Sequence, residues 1–234
     1  MMDSKNNNIL RVYRTKAQAK RNYDKISRFY DCFAGGFESH YRNIGLDQLN
    51  IKSGETVLEI GFGTGHCIKQ LAELVGEKGM AYGVEISSGM LEVTKKRLEK
   101  AGLFDKVELY CGDAARMPYN DHKFDAVFMS FTLELFDTPE IPMILNEIKR
   151  VLKSEGRLGV VSMSREDSKS KIFKLYEWAH TKFPNYADCR PIYVEQSLIE
   201  AGFGIKSKDN VKVLGLPLEI VIGINLRQIV NYFH

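Results

Sequence analysis

The 234-residue chain has no uninterrupted apolar run near the roughly eighteen residues that a membrane-spanning helix requires. Its opening, MMDSKNNN, lacks the apolar stretch of a secretory signal, so a soluble, cytoplasmic protein is expected. Cysteine is scarce: Cys32, Cys67, Cys111 and Cys189 lie far apart and form no C-x-x-C pair, which argues against a disulfide framework and against a zinc site. No metal is expected. Compositional bias is missing too. With 44% hydrophobic and 27% charged residues, the chain falls among ordinary globular proteins and outside the disordered, collagenous and coiled-coil classes. Neither an internal repeat nor a low-complexity linker interrupts it.

Charge is nearly balanced over the whole chain, at +3, but not along it. Residues 1–30 hold eight Lys and Arg against only Asp3 and Asp24, which gives this stretch +6 and the remainder −3. Such asymmetry suits an anionic membrane surface or a nucleic acid, and equally a solvated helical face.

From Val57 onwards, short β-branched runs alternate with segments of helical period, the pattern of a parallel sheet with crossover helices. Strands are expected at 56–60, 80–86, 106–110, 124–130 and 157–163. Ile68, Leu71, Ala72 and Val75 define one helix, and Ile141, Ile144, Leu145 and Ile148 another that Val151 and Leu152 extend. Thr138 and Pro139 offer the second of these a cap and first-turn proline. Further helices are expected over 168–183, with Ile172, Leu175, Tyr176 and Ala179 on one face, and over 194–201. The last two apolar stretches, 204–215 and 216–226, leave no room for a crossover helix and should pair antiparallel. Ahead of the sheet, Tyr23, Ile26, Tyr30 and Phe33 share a helical spacing that Gly35-Gly36 should stop or bend.

The segment VLEIGFGTGH, residues 57–66, falls between the first strand and the first amphipathic helix. Gly61 and Gly63 permit a tight turn and close backbone approach, and Gly65 lets the helix start against the strand. A dinucleotide fingerprint would place its third glycine at position 66, where this chain has His66, so a nicotinamide cofactor is disfavoured. Glu59, two residues ahead of the loop, would repel a phosphate but suits a ligand carrying an ammonium. The second strand leads to Glu85, twenty residues beyond Gly65, where a carboxylate can accept from both hydroxyls of a ribose. After the third strand, Gly112-Asp113-Ala114 supplies a carboxylate able to accept from an adenine amine. Together these describe a nucleoside ligand with a cationic end.

This series, E-x-G-x-G-x-G, then an acidic strand end, then G-D-A, resembles the class I S-adenosylmethionine-dependent methyltransferases over residues 56–163. The resemblance implies an α/β, Rossmann-like fold: a seven-stranded, mostly parallel sheet in the order 3-2-1-4-5-7-6 with the last strand antiparallel, helices on both faces and an N-terminal helical cap. Residues 1–55 would be the cap and residues 56–234 the methyltransferase domain. It also implies S-adenosyl-L-methionine as cofactor. Gly61, Gly63 and Gly65 would face its methionine and ribose parts, Glu59 its amino-acid end and Glu85 its ribose. Ile86 and Met90 would line the adenine edge, Asp113 and Ala114 the adenine amine, and Ser130 with Phe131 the floor.

Methyl transfer from a sulfonium is an in-line displacement that releases a neutral group, so positioning dominates and neither metal nor covalent intermediate is required. A carbon acceptor needs a base as well. By the resemblance, Tyr23, Tyr30, His40 and Tyr41 from the cap and Glu134 beyond the fourth strand are the candidates. Methyltransferases of nucleic-acid base amines carry an Asn/Asp-Pro-Pro-aromatic tetrad where this chain has SFTLEL, which argues against a nucleic-acid partner. Phe131, Leu133, Leu135 and Phe136 suggest an apolar wall. The order YDKISRFYD, GGFESHYR, glycine loop and GLPLEIVI is similar to quinone C-methyltransferases and bacterial phospholipid N-methyltransferases. That second resemblance implies a small, lipid-like acceptor, with the basic N-terminus touching the inner membrane surface peripherally. A soluble metabolite as acceptor, or a non-catalytic cofactor-binding module, are the alternatives.

Overall fold

Alternating apolar runs pair here as the periodicity requires. In the computed structural model, which describes residues 9, 11–12, 14–27, 30–166, 171–182, 189–213 and 215–226, five strands run parallel. They are β1 (Thr56–Ile60), β2 (Met80–Glu85), β3 (Val107–Cys111), β4 (Phe124–Ser130) and β5 (Leu152–Met163). Two more, β6 (Gly204–Val213) and β7 (Leu216–Ile224), form the expected hairpin, with β7 antiparallel to β5. The sheet order is 3-2-1-4-5-7-6. β5 starts at Leu152 and not at 157, because the chain leaves the preceding helix directly into a pairing of Leu152 with Phe124, ahead of a bulge.

Helices cover both faces. The helices α3 (His66–Val75) and α5 (Ile141–Val151) bury the residues that their spacing picks out: Ile68, Leu71, Ala72 and Val75, and Ile141, Ile144, Leu145 and Ile148. Leu71 of α3, Leu98 of α4 (Ser88–Ala101) and Leu46 and Leu49 of α2 (Tyr30–Leu49) share one core. Ile144 and Ile148 of α5 and Leu198 of α7 (Val194–Glu200) share the other. Asn225 stitches the last strand to this layer, its amide donating to the carbonyls of Lys149, Leu152 and Lys153 at 3.2 Å each.

Three local expectations are corrected. Gly35-Gly36 does not stop a helix: α2 runs through it, and the break lies earlier, at Ser27, after α1 (Lys16–Ile26). Tyr23 and Ile26 therefore sit on α1 while Tyr30 and Phe33 belong to α2, their side chains outside the described residues. Packing overrides the helix cost of glycine, about 1 kcal/mol each. The second half of α2 lies on β4, β5 and β7 so closely that a Cβ at Gly45 would come within 2.5 Å of Val161 Cγ2. Thr138 is no cap either. Helix α5 begins after Glu140 with Pro142 in its first turn, and the Thr138 hydroxyl accepts from Arg190 at 3.1 Å. In α6 (Lys171–Lys182), finally, Phe173 and His180 are buried, while Ile172 and Leu175 are 50% and 64% exposed. Tyr176 is half-buried, and the Ala179 side chain lies outside the described residues.

Gly65 opens α3 with φ at +85°, and a Cβ there would lie 2.6 Å from Thr94 Cγ2 on α4. Strain and overpacking act together, so Gly65→Ala should lower the unfolding free energy by about 1–3 kcal/mol in urea denaturation.

Candidate active site

The carboxyl ends of β1, β2 and β4 open into a cleft at the point where the strand order reverses between β1 and β4. The loop leaving β1 turns at Gly61 and Gly63. Gly63 has φ at +51°, and no atom lies within 4 Å of where its Cβ would be, so this stretch of backbone faces open space. Its N–H donates to Glu85 Oε2 at 3.1 Å, while Glu85 Oε1 accepts from the Ser87 N–H at 2.9 Å. Burial pushes the Glu85 carboxyl up, and these N–H groups partly counter it.

Glu59 lies deeper, 2% exposed, with Oε2 making no hydrogen bond. Burial drives its pKa up to about 8 against the opposing charge of Arg42, while Glu85 adds to the rise. Arg42, on α2, lines the same cleft and pairs with Glu38 at 2.9 Å. Across the cleft, the Ser130 hydroxyl is buried without a hydrogen-bond partner. The next residue, Phe131, is held at φ +49°, a strained setting for an aromatic residue that turns the chain at the cleft floor.

The N-terminal segment crosses this edge on the ion pairs of Arg11 and Lys16 and the hydrogen bonds of Asp24. Arg11 Nη2 pairs with Asp137 at 2.6 Å and, through its hydrogen bonds, holds that carboxyl down to about 2. Lys16 bridges Asp113 at 2.7 Å and Glu140 at 3.1 Å. Asp24 accepts from the Ser87 hydroxyl at 2.6 Å and the Gly89 N–H at 2.8 Å. Val12, Arg14, Ala19 and Tyr23 of the same segment line the cleft.

Of the residues singled out for a cofactor, Glu59, Gly61, Gly63, Glu85, Ile86, Met90, Asp113, Ala114 and Ser130 all line the cleft. Gly65 does not; it stands behind the loop, where its missing side chain makes room for Thr94. Among the acceptor-side candidates, Tyr23 lines the cleft and Glu134 does not: it is fully buried behind the wall, its Oε1 accepting from the Met163 N–H at 3.2 Å and its Oε2 without a partner. His40 is corrected. It is exposed, packed edge-on against Tyr41 at 5.1 Å, and Tyr41 donates to the Lys212 carbonyl, so α2 turns both away from the cleft. The Tyr30 side chain lies outside the described residues. Lys16 and Asp24 were missed as site residues, and Arg42 was singled out only through the GGFESHYR resemblance, without a role at the cofactor end.

Residues 57–156 match the family model described as a methyltransferase domain. A demethylmenaquinone methyltransferase of Symbiobacterium thermophilum is 31% identical over 192 residues, covering 75% of this chain and 75% of that protein. The chain belongs to the class I S-adenosylmethionine-dependent methyltransferases. A second relative, the demethylmenaquinone methyltransferase of Lactobacillus johnsonii, is 31% identical over 70% of this chain, and the match spans 65% of that protein's length. Among solved structures, the [4+2]-cyclase SpnF superposes with a TM-score of 0.75 at 19% identity, over 94% of this chain and 99% of that one, which establishes a shared fold. The methyltransferase uses S-adenosylmethionine as its cofactor. The chain's own residues fit such a molecule: the orphaned, buried Glu59 oxygen awaits a cation, and the open backbone at Gly63 leaves room for a ligand beside the Glu85 carboxylate.

A carboxyl whose folded pKa lies above its unfolded value penalises the fold as pH rises from the unfolded pKa towards the folded one. For Glu59 that window runs from 4.5 to about 8. Glu59→Gln should gain on the unliganded wild type across it, by up to about 1.4 kcal/mol per pH unit. Parallel pH profiles in denaturant unfolding would contradict the assignment.

Proposed function

We propose that the protein transfers the methyl group of S-adenosylmethionine to a ring carbon of a small, apolar, quinone-type acceptor. The observation that carries this reading is the mixed lining of the cleft, in which the acids Glu59, Glu85 and Asp113 stand with the apolar Phe131, Leu135 and Phe136. The demethylmenaquinone methyltransferases among the relatives lend it support. Residues 1–55 act as a cap on the cofactor-binding domain of residues 56–234. The enzyme works in the cytoplasm at the inner face of a membrane; among the described residues no helix is long and apolar enough to cross one.

The cofactor supplies a methyl group already activated on sulfur. Glu59 would take its ammonium and Glu85 its ribose hydroxyls. Ile86 and Met90 would line the adenine, with Asp113 and Ala114 at its amine. Gly61 and Gly63 give the backbone room, Gly65 sets the helix behind them, and Ser130 closes the floor. Tyr23 steers the acceptor ring. An aromatic carbon becomes nucleophilic once a neighbouring phenolic hydroxyl loses its proton. The base assigned to that proton is Glu134, fully buried behind the cleft wall that Leu135 and Phe136 line, where burial lifts it to about 8 against the Met163 N–H bond. Its charged form increases as pH rises to about 8, and turnover should rise with it.

Three acceptors offered with labelled donor, a water-soluble demethylated quinol, phospholipid vesicles and a soluble metabolite extract, separate the readings. Label in the quinol ring is expected; label confined to phospholipid or to the extract would overturn the quinone assignment. Glu134→Gln should lower kcat by about a hundredfold with donor affinity unchanged, and full activity would remove Glu134 from the chemistry. Gly63→Val should abolish donor binding in calorimetry while far-ultraviolet circular dichroism stays the same. Unchanged affinity would displace the donor from this loop.

A further inference from the structure

Helix α6 carries an apolar stripe that the fold leaves outside. Ile172, Leu175 and Trp178 are 50%, 64% and 55% exposed. Their spacing of three residues puts them on one side of the helix, opposite Phe173 and His180, which are 0% and 8% exposed and fasten the helix to the domain. An exposed stripe of three large apolar side chains calls for an occupant.

Charge identifies it. Lys174 and Lys182 are exposed on the same outward side, while the helix's acid, Glu177, turns back to pair with Arg165. The outward face is therefore cationic as well as apolar, with an indole among its aliphatic groups, the composition that favours the interface of an anionic bilayer. The basic N-terminus, expected from sequence to make that contact, has Arg11 and Lys16 committed to Asp137, Asp113 and Glu140.

Position completes the argument. Helix α6 follows the carboxyl end of β5 and touches the turn between β6 and β7, where a Cβ at Gly215 would come within 2.8 Å of Ile172. That turn is at the edge of the sheet where the cleft opens. Tyr176 donates to the Cys189 carbonyl at 2.6 Å, and the adjacent Arg190 donates to the carbonyl of Phe136, which lines the cleft.

We propose that the outer face of α6 docks the enzyme on an anionic lipid surface, bringing the sheet edge on which the cleft opens to the membrane from which a lipid-like acceptor would enter. The inference builds on the quinone reading, yet the two can fail separately. Trp178 is the chain's single tryptophan, so intrinsic emission reports this face directly. With vesicles of phosphatidylcholine and phosphatidylglycerol, the full-length protein should co-sediment and its emission should shift to the blue. Phosphatidylcholine alone should produce neither effect, and high salt should reverse both. Leu175→Glu should weaken vesicle partitioning by about tenfold, while methylation of a water-soluble quinol stays at the wild-type rate. Unshifted emission with anionic vesicles, or equal partitioning of the variant, would overturn the proposal. So would a wild-type dimer that Leu175→Glu converts to a monomer, because the stripe would then face a second copy. Vesicle binding without quinol methylation would instead sink the quinone reading and leave the docking face standing.

Discussion

The site depends on one carboxylate. Glu85, at the end of β2, accepts the Gly63 N–H from the loop leaving β1 and the Ser87 N–H from the turn that starts α4. Two neighbouring strand ends are thereby fixed to each other through a buried acid, and the desolvation of that acid is offset by the backbone dipoles pointed at it. Geometry at the cleft follows from this joint: with Gly63 held from behind, its open side faces the ligand space. A ligand then meets a backbone already in place, so little ordering is left to binding itself.

Charge along the chain makes sense against this edge. The cleft is lined by Glu59, Glu85, Asp113 and Glu140, and the segment that crosses it brings Arg14 and Lys16, with Arg42 behind. The excess of positive charge at the N-terminus is thus matched by the acids of the domain it covers. Such internal pairing draws on the same residues that an external anion would need. The ties lie near solvent, the Arg11 side chain being 54% exposed and the Lys16 side chain 38%. Exposed pairs are worth little individually, so the strap is held by several weak contacts and can yield to a ligand without a global change.

Much of the sheet was legible because its signals are local. Strand ends at Ile60, Glu85 and Ser130 coincide with changes in hydrophobic period, and the short link at Gly215 leaves the last two strands only an antiparallel pairing. The glycine loop and its acids were legible for the same reason, being fixed by their distance from strand ends. What failed depends on partners distant in sequence. Gly35-Gly36 reads as a helix stop, yet α2 continues because its later turns rest on β5. Ile172 and Leu175 have core spacing but lie outside, since Phe173 takes the buried position. His40 and Arg42 are two residues apart on one helix, and only the direction of α2 decides that Arg42 faces Glu59 while His40 faces solvent. Gly65 reads as a ligand glycine, although its constraint comes from Thr94 on a different helix.

A structure of the protein crystallised with S-adenosylhomocysteine tests the central claim most directly. The account predicts ribose hydroxyls on the Glu85 carboxylate, the amino group against Glu59 Oε2, and the adenine between Met90 and Asp113. Density for the nucleoside outside the β1–β2 edge, or a bound molecule that leaves Glu59 Oε2 without a partner, would contradict it.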